Sequence, residues 1–419
     1  MRHIPIVILG GGIAGLGASL RARELEQYAV IFEANSSAGG LLDNFIVDGF
    51  RFDNAVHLSF ASEPAVRSIF DRTPYLTHPA ESKCFNQDVW LKHPVQNNLF
   101  PLSAHRKVEL IKSFLKRPDI AQIKNYEEWL LSQYGEEIAL NWPIAYTYKY
   151  WDTPPNQLSI NWVGNRMRRA ELDEILFGAF SSETPNTYYT KEMRYPKVGG
   201  YKSFIQSLID EANIELNKRA VRIDQICHRI YLENGEIISY DKLVSTLPLP
   251  ILVGMMEDVP ENVSKSANSL EATSIDLISV GFNVALDLDL WFYIYDEDIY
   301  ASRAYSPSKK STNNVPEGCS SLQFEIYQRG RKAKYSPEQL KENVLYAIKK
   351  MKIAKDNEIV FMHHKRLDWG NVIFDVGMEE NREVIREYLV KGDVRSCGRF
   401  GEWDYLWSNQ SFISGYKVI

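Results

Sequence analysis

The segment Gly10-Gly11-Gly12-Ile13-Ala14-Gly15 spells G-x-G-x-x-G, and Glu33 follows 18 residues after Gly15. Each position has a chemical use. The first glycine permits a tight turn, the second lets a diphosphate approach the backbone, and the third allows a helix to pack closely. The helix N-terminus attracts the anion, and the carboxylate accepts from a ribose hydroxyl. That chemistry needs a strand before the glycines and a helix after them. "IPIVIL" is a continuous apolar run of the kind a buried parallel strand shows, "IAGLGASLRARELEQ" takes helical spacing, and "YAVIFE" reads as the next strand. The motif is therefore a dinucleotide site, which by itself does not separate NAD from FAD.

Further chemistry-bearing residues lie downstream. His57 stands in "FDNAVHLSF" after a hairpin signal, "FIVDGFRFD", that turns at Asp48-Gly49. "YTYKYWDTPPNQLSINWVGNR" groups Tyr146, Lys149 and Trp151 before a Pro-Pro break, then Trp162 and Arg166; Tyr293 precedes Arg303 by ten residues. Taken alone, these residues favour a Trp/Tyr-rich core with surface arginines. The other reading is a cleft in which aromatics stack on a base or sugar while arginines bind phosphates. No Ser/His/Asp or paired-carboxylate constellation stands out, and Cys84, Cys227, Cys319 and Cys397 lack metal-ligand spacing, so they read as reduced thiols.

The positioning elements alternate in character along the chain. Residues 63–169 read as helices rich in Trp, Tyr, Lys and Glu, and an α/β texture returns from Tyr195. "AVRIDQI", "RIYLENGEIISY" and "KLVSTLP" read as three stretches of strand, 275–330 as longer strands, 337–352 as a helix and 358–367 as a strand. The last unit, "GDVRSCGRFGEWDYLWSNQSFISG", reads as strand, loop and helix start. With 419 residues, 45% of them hydrophobic, the chain is long enough for two to three domains, and its net charge of -6, with Lys and Arg interspersed among Asp and Glu, gives no reason to expect nucleic-acid binding. No run is long and apolar enough for a membrane span, and the expected location is cytoplasmic.

Gly39-Gly40, shortly after Glu33, resembles the second phosphate-region glycines of the FAD-binding family that includes the amine oxidases. Val221 in "KRAVRID" is placed like the residue that contacts adenine there, and the C-terminal strand-loop-helix like the element that closes over the flavin. In order along the whole chain, the glycines with Glu33, the His after the hairpin, "YTYKYW", "PPNQLSINWVGNR", "YPKVGGY", "SRAYS", "NNVP" and "GRFGEWDYLWSNQS" resemble the UDP-galactopyranose mutases, particularly the eukaryotic-type branch.

That resemblance implies an α/β fold: a Rossmann-like FAD-binding domain with a helical insertion and a mixed or antiparallel substrate-side sheet. The boundaries expected are 1–75, 195–255 and 390–419 for a discontinuous FAD-binding domain, 76–194 for a mainly helical insertion with substrate-pocket residues, and 256–389 for a sheet-rich substrate domain. It implies FAD, active when reduced, whose N5 attacks the anomeric carbon of a UDP- or TDP-linked sugar and interconverts pyranose and furanose with no net redox change. Arg166 and Arg303 would hold the diphosphate, with His57 completing the catalytic set in a loop that responds to flavin reduction. Tyr146, Trp151, Tyr293 and Tyr405 would line the substrate pocket. Gly10, Gly12, Ala14, Gly15, Glu33, Gly39, Gly40, Leu41, Val221, Gly398, Arg399, Asn409 and Gln410 would contact the cofactor. The chain departs from the family at Asn54-Ala55-Val56, where glycines usually precede the histidine, and at Trp407, where bacterial members usually carry an acid. Two alternatives stand beside the mutase: an amine oxidase or protoporphyrinogen oxidase-like oxidoreductase, and a non-catalytic flavoprotein of glycan assembly. Self-association into a homo-oligomer is open.

Overall fold

The structure is a computed structural model that describes residues 1–164, 167, 171–185 and 192–419. The first sheet is built around Arg2–Leu9, whose apolar run is buried because parallel strands flank it on both sides. From one edge the order is Ala220–Asp224, Arg229–Leu232, Ile237–Ser245, Arg2–Leu9, Ala29–Phe32, Ile214–Glu215. The strand Ile237–Ser245 changes partner midway. Its first part pairs antiparallel with Arg229–Leu232, and its last three residues pair parallel with Val394–Ser396. Sequence reading divides this strand at the polar pair Asp241-Lys242; the structure runs it straight through, and the polar pair falls where one partner ends and the other begins.

The helix Ile13–Glu24 packs along the C-terminal helix Ser408–Lys417 with almost no space between backbones. A Cβ on Gly415 would overlap the Ala14 carbonyl, and one on Gly398 would come within 2.6 Å of the Ala14 Cβ. Glycine is needed where backbones approach this closely. The helix Ser408–Lys417 is thus tied to the first helix by close backbone contacts.

The second sheet runs Ile359–Leu367, Thr273–Phe282, Ser320–Arg329, Arg303–Tyr305, Trp291–Ile294, Lys83–Asn86, Val89–Lys92. All neighbours are antiparallel except Trp291–Ile294 with Lys83–Asn86. Strand alternation sorts its central residues. Leu322, Phe324 and Ile326 join Ile278, Val280 and Phe282 in a core with Leu340, Val344 and Ile348 of the helix Pro337–Lys350. The intervening Gln323, Glu325 and Tyr327 are buried too, but on the opposite face.

The hairpin Lys83–Asn86/Val89–Lys92 lies inside the stretch expected to be mainly helical, and it extends a sheet whose other strands come from 273–367. Its turn is made by Gln87 and Asp88 at φ of 49° and 63°, residues that give a weaker turn signal than Asn-Gly. Helices follow at Ala104–Leu115, Tyr126–Tyr134, Ala145–Trp151 and Leu172–Phe180. Among the described residues no helix is long and apolar enough to cross a membrane, and no group of His, Cys, Asp or Glu is arranged to hold a metal.

Candidate active site

The glycines of the first motif divide by what surrounds them. Gly10 has φ of 102° and sits against Thr246 Oγ1, and Gly15 lies on the Gly10 carbonyl, so both are required by the fold. Gly12 is different: a Cβ there would meet nothing nearer than Gly40 Cα at 3.9 Å. Gly39 N donates to Gly11 O at 2.9 Å, which brings the second glycine pair alongside the first, and Leu41 follows in the short turn Gly40–Leu42. The helix beginning at Ile13 has no side-chain cap and no acid in its first turn. Its unpaired N–H groups and open glycine edge fit the diphosphate of a dinucleotide such as FAD.

Glu33 is 6% exposed at the end of this cradle. Its Oε2 accepts from Gly11 N at 2.8 Å, and its Oε1 accepts from the backbone and side-chain nitrogens of Asn35, each at 2.8 Å. The carboxylate is therefore fixed in place at the end of the cradle. Val221 lies at a register shift between Ala220 and Arg222 and is 45% exposed, outside the regular ladder.

The turn after the hairpin abuts the same cradle. Asn54 Nδ2 donates to Gly40 O at 3.4 Å, and Asn54 Oδ1 accepts from Lys365 Nζ at 2.8 Å. Ala55 has φ of 70°, a conformation that suits glycine, so the departure from the family's glycines leaves a methyl in a left-handed backbone. Val56 N donates to Glu325 Oε1 at 2.6 Å. His57 Nδ1 lies 3.1 Å from Ala55 O, and its ring lies 5.2 Å from that of Tyr201. Burial pulls the His57 imidazole down to about 4, against the attraction of Asp53, so the ring is neutral near pH 7.

Beyond the turn lies an aromatic cluster around one guanidinium. Arg303 Nε donates to the fully buried Glu325, and its NH2 donates to Tyr327 OH at 2.8 Å. The guanidinium lies 5.4 Å from the Tyr150 ring centre. Tyr146 packs against Tyr150 at 5.4 Å and Tyr293 at 5.5 Å, and the Tyr150 and Tyr405 hydroxyls hydrogen-bond at 2.9 Å. Burial pushes the Tyr146, Tyr150 and Tyr327 phenols above their ordinary value, which keeps them protonated and able to donate.

Four of the expected substrate-side residues, Tyr146, Tyr293, Arg303 and Tyr405, thus converge in this cluster. Trp151 lines its back, 5% exposed, 4.8 Å from Tyr150 and 4.6 Å from Trp162. Arg166 lies outside the described residues.

The C-terminal residues are drawn into protein contacts. Arg399 donates to Asn371 Oδ1 at 2.6 Å and stands 4.8 Å from the Tyr405 ring centre, which turns it toward the tyrosine cluster. Gln410 accepts from Trp407 N at 2.9 Å as part of the helix cap, and Asn409 Nδ2 donates to Glu63 at 2.8 Å. Those side-chain bonds anchor the helix start against the segment that follows His57; the expected flavin contacts of Asn409 and Gln410 would have to compete with them.

Sequence reading passed over Tyr150, Glu325, Tyr327 and Asn371. The signal for two of them was available in "LQFEIYQ", where polar residues alternate with apolar ones in a strand buried on both faces.

These features define a dinucleotide-binding fold with a tyrosine- and arginine-lined site. A family model described as NAD(P)-binding Rossmann-like domain matches residues 8–73. The whole chain is similar to a crystal structure of reduced UDP-galactopyranose mutase, with TM-score 0.93 and 25% identity, covering 99% of this chain and 92% of that one. A putative protoporphyrinogen oxidase from Exiguobacterium sp. 255-15 matches with TM-score 0.75 and 17% identity, over 99% of this chain and 97% of that chain. Cyclohexylamine oxidase from Brevibacterium oxydans IH-35A matches with TM-score 0.69 and 14% identity, over 99% and 97% respectively. The latter two share the fold. The whole-chain likeness to a UDP-galactopyranose mutase and the Rossmann-like match fit an FAD-binding fold of the amine oxidase-like type.

Proposed function

We propose that this chain is a flavin-dependent nucleotide-sugar mutase that interconverts the pyranose and furanose forms of a UDP- or TDP-linked sugar, galactose being the substrate the likeness suggests. The observation that carries the reading is polarity. Asn371 Nδ2 and Arg399 Nε are buried beside the tyrosine cluster without hydrogen-bond partners among the described residues. Such orphaned donors call for a polar ligand. An amine or porphyrinogen oxidase would instead need an apolar substrate tunnel there.

Reduced FAD, when bound, supplies the nucleophile for the anomeric carbon without net redox change. Gly12, the N-terminus of the helix Ile13–Glu24 and Glu33 would hold its diphosphate and ribose. Arg303 carries a permanent charge suited to a departing diphosphate, and Tyr293 and Tyr405 would donate to the same group. Arg166 is proposed as the second diphosphate arginine on its motif alone. Tyr146 would line the sugar-nucleotide pocket, with Trp151 supporting it from behind. His57, neutral through burial, would contact the flavin-facing side of the turn without serving as a cation. The product would be a furanose donor for cell-surface polysaccharide, made in the cytoplasm.

The test is incubation of dithionite-reduced, FAD-loaded protein with UDP- and TDP-linked pyranoses, with chromatography for the furanose isomer. Conversion in the reduced state alone supports the mutase. Stoichiometric flavin oxidation by an amine or a porphyrinogen, with no isomer formed, would overturn it in favour of the oxidoreductase.

A further inference from the structure

Beneath the turn Asp53–His57 lies an ion pair sealed from solvent. The side chains of Lys310 and Asp53 are 0% and 1% exposed, with Nζ and Oδ2 2.8 Å apart. Removing two ions from water costs several kcal/mol each, so such a pair persists only when further hydrogen bonds complete it. Here they do. Asp53 Oδ2 also accepts from Tyr195 OH at 2.8 Å, and Oδ1 accepts from Tyr201 N at 3.0 Å. The ammonium lies 4.1 Å and 4.8 Å from the ring centres of Tyr305 and Tyr195.

The pair reaches the turn directly. Lys310 Nζ donates to the His57 carbonyl at 3.4 Å, and Tyr305 OH lies within 3.3 Å of the carbonyls of Asp53 and Ala55. On its other side the same turn touches the diphosphate cradle through Asn54 and Gly40. The backbone between them carries the left-handed Ala55, a conformation that persists only where surrounding contacts enforce it.

We propose that Lys310 is a positioning residue for the cofactor: paired with Asp53, its ammonium fixes the His57 peptide and so holds the turn against the diphosphate cradle. Lys310 acts through His57 and touches neither flavin nor substrate. This proposal rests on the flavin reading above. Removing the ammonium frees the His57 carbonyl from its donor and loosens the turn against the cradle, so the hold on the cofactor changes.

The experiment compares wild type, Lys310→Met and the double variant Asp53→Asn/Lys310→Met. Apoprotein unfolding is followed by circular dichroism, FAD dissociation by fluorescence, and the midpoint potential by dye-coupled reduction. Lys310→Met leaves a buried carboxylate uncompensated; if it does not fold, the double variant, which removes both charges, decides. A folded variant is expected to show a midpoint potential shifted from that of wild type and an FAD dissociation constant raised about tenfold. Wild-type potential and affinity in a folded variant overturn the role of Lys310 while leaving the flavin reading intact. A wild-type protein that takes up no FAD overturns both.

Discussion

Gly17 and Phe412 meet backbone to backbone: a Cβ on Gly17 would come within 2.5 Å of the Phe412 carbonyl oxygen. With Gly415 against Ala14, this contact locks the last helix onto the helix that starts at the cradle. Gly415→Val is therefore expected to destabilise the apoprotein by about 3 kcal/mol, because overpacking against backbone cannot relax as a side chain would. A urea midpoint equal to that of wild type would contradict the contact.

Ala55 offers a test of backbone strain. Ala55→Gly should stay within about 1 kcal/mol of wild type, since the left-handed conformation is natural to glycine and only one methyl is lost. Ala55→Val should lose about 2 kcal/mol or more, because a β-branched residue is a true outlier at positive φ. Equal thermal stability of the two variants would argue against the φ of 70°.

Glu33 is held by three donors and faces the cradle. Glu33→Ala removes a charged acceptor worth about 1.5–3 kcal/mol, so FAD affinity should fall roughly 10- to 150-fold. Titration of apoprotein with FAD, read by quenching of flavin fluorescence, checks this.

Arg303→Lys keeps the charge but loses the planar fork that serves Glu325 and Tyr327 together. The expected result is a fall in kcat/KM of about 100-fold with little change in bound FAD. Arg303→Ala should instead destabilise the fold by about 3–5 kcal/mol, because Glu325 is left buried and unpaired. Steady-state kinetics and denaturant unfolding separate the two outcomes.

His57 gives the pH dependence a sign. Its folded value of about 4 lies below the ordinary 6.5, so between these values the unfolded chain binds a proton that the folded chain does not. Stability from this residue is complete above pH 6.5 and is lost as pH falls toward 4, with a slope approaching about 1.4 kcal/mol per pH unit. His93, which burial also pulls down to about 4, acts in the same window. His57→Asn should reduce the slope of unfolding free energy against pH, leaving the share of His93. An unchanged slope would mean that His57 is not buried neutral.

The cradle was legible because its meaning is local: glycines, helix and carboxylate are contained within residues 10–33, and each glycine's use follows from its spacing. The alternation in Ser320–Arg329 was equally visible, but what its polar face meets was not. Glu325 has its meaning through Val56 and Arg303, and Lys310 through Asp53, a partner 257 residues away. The hairpin at 83–92 was hidden by an unusual turn pair, and the strand Ile237–Ser245 by a polar pair at a change of partners. Asn409 and Gln410 show a different limit: sequence gives their position at a helix start, whereas only the fold shows that Glu63 and Trp407 already engage them.

The partner change along Ile237–Ser245 bears on how this protein is made. Its final pairing partner, Val394–Ser396, is synthesised after every other strand of both sheets, and Gly398 follows it directly into the neighbourhood of Ala14. A nascent chain with every strand of the second sheet already synthesised still lacks the edge that completes the first. Contacts between such distant segments form slowly and leave unpaired strand exposed meanwhile. Completion of the first sheet therefore waits on the strand that is synthesised last, and a chain stopped before it would present an open sheet edge to aggregation.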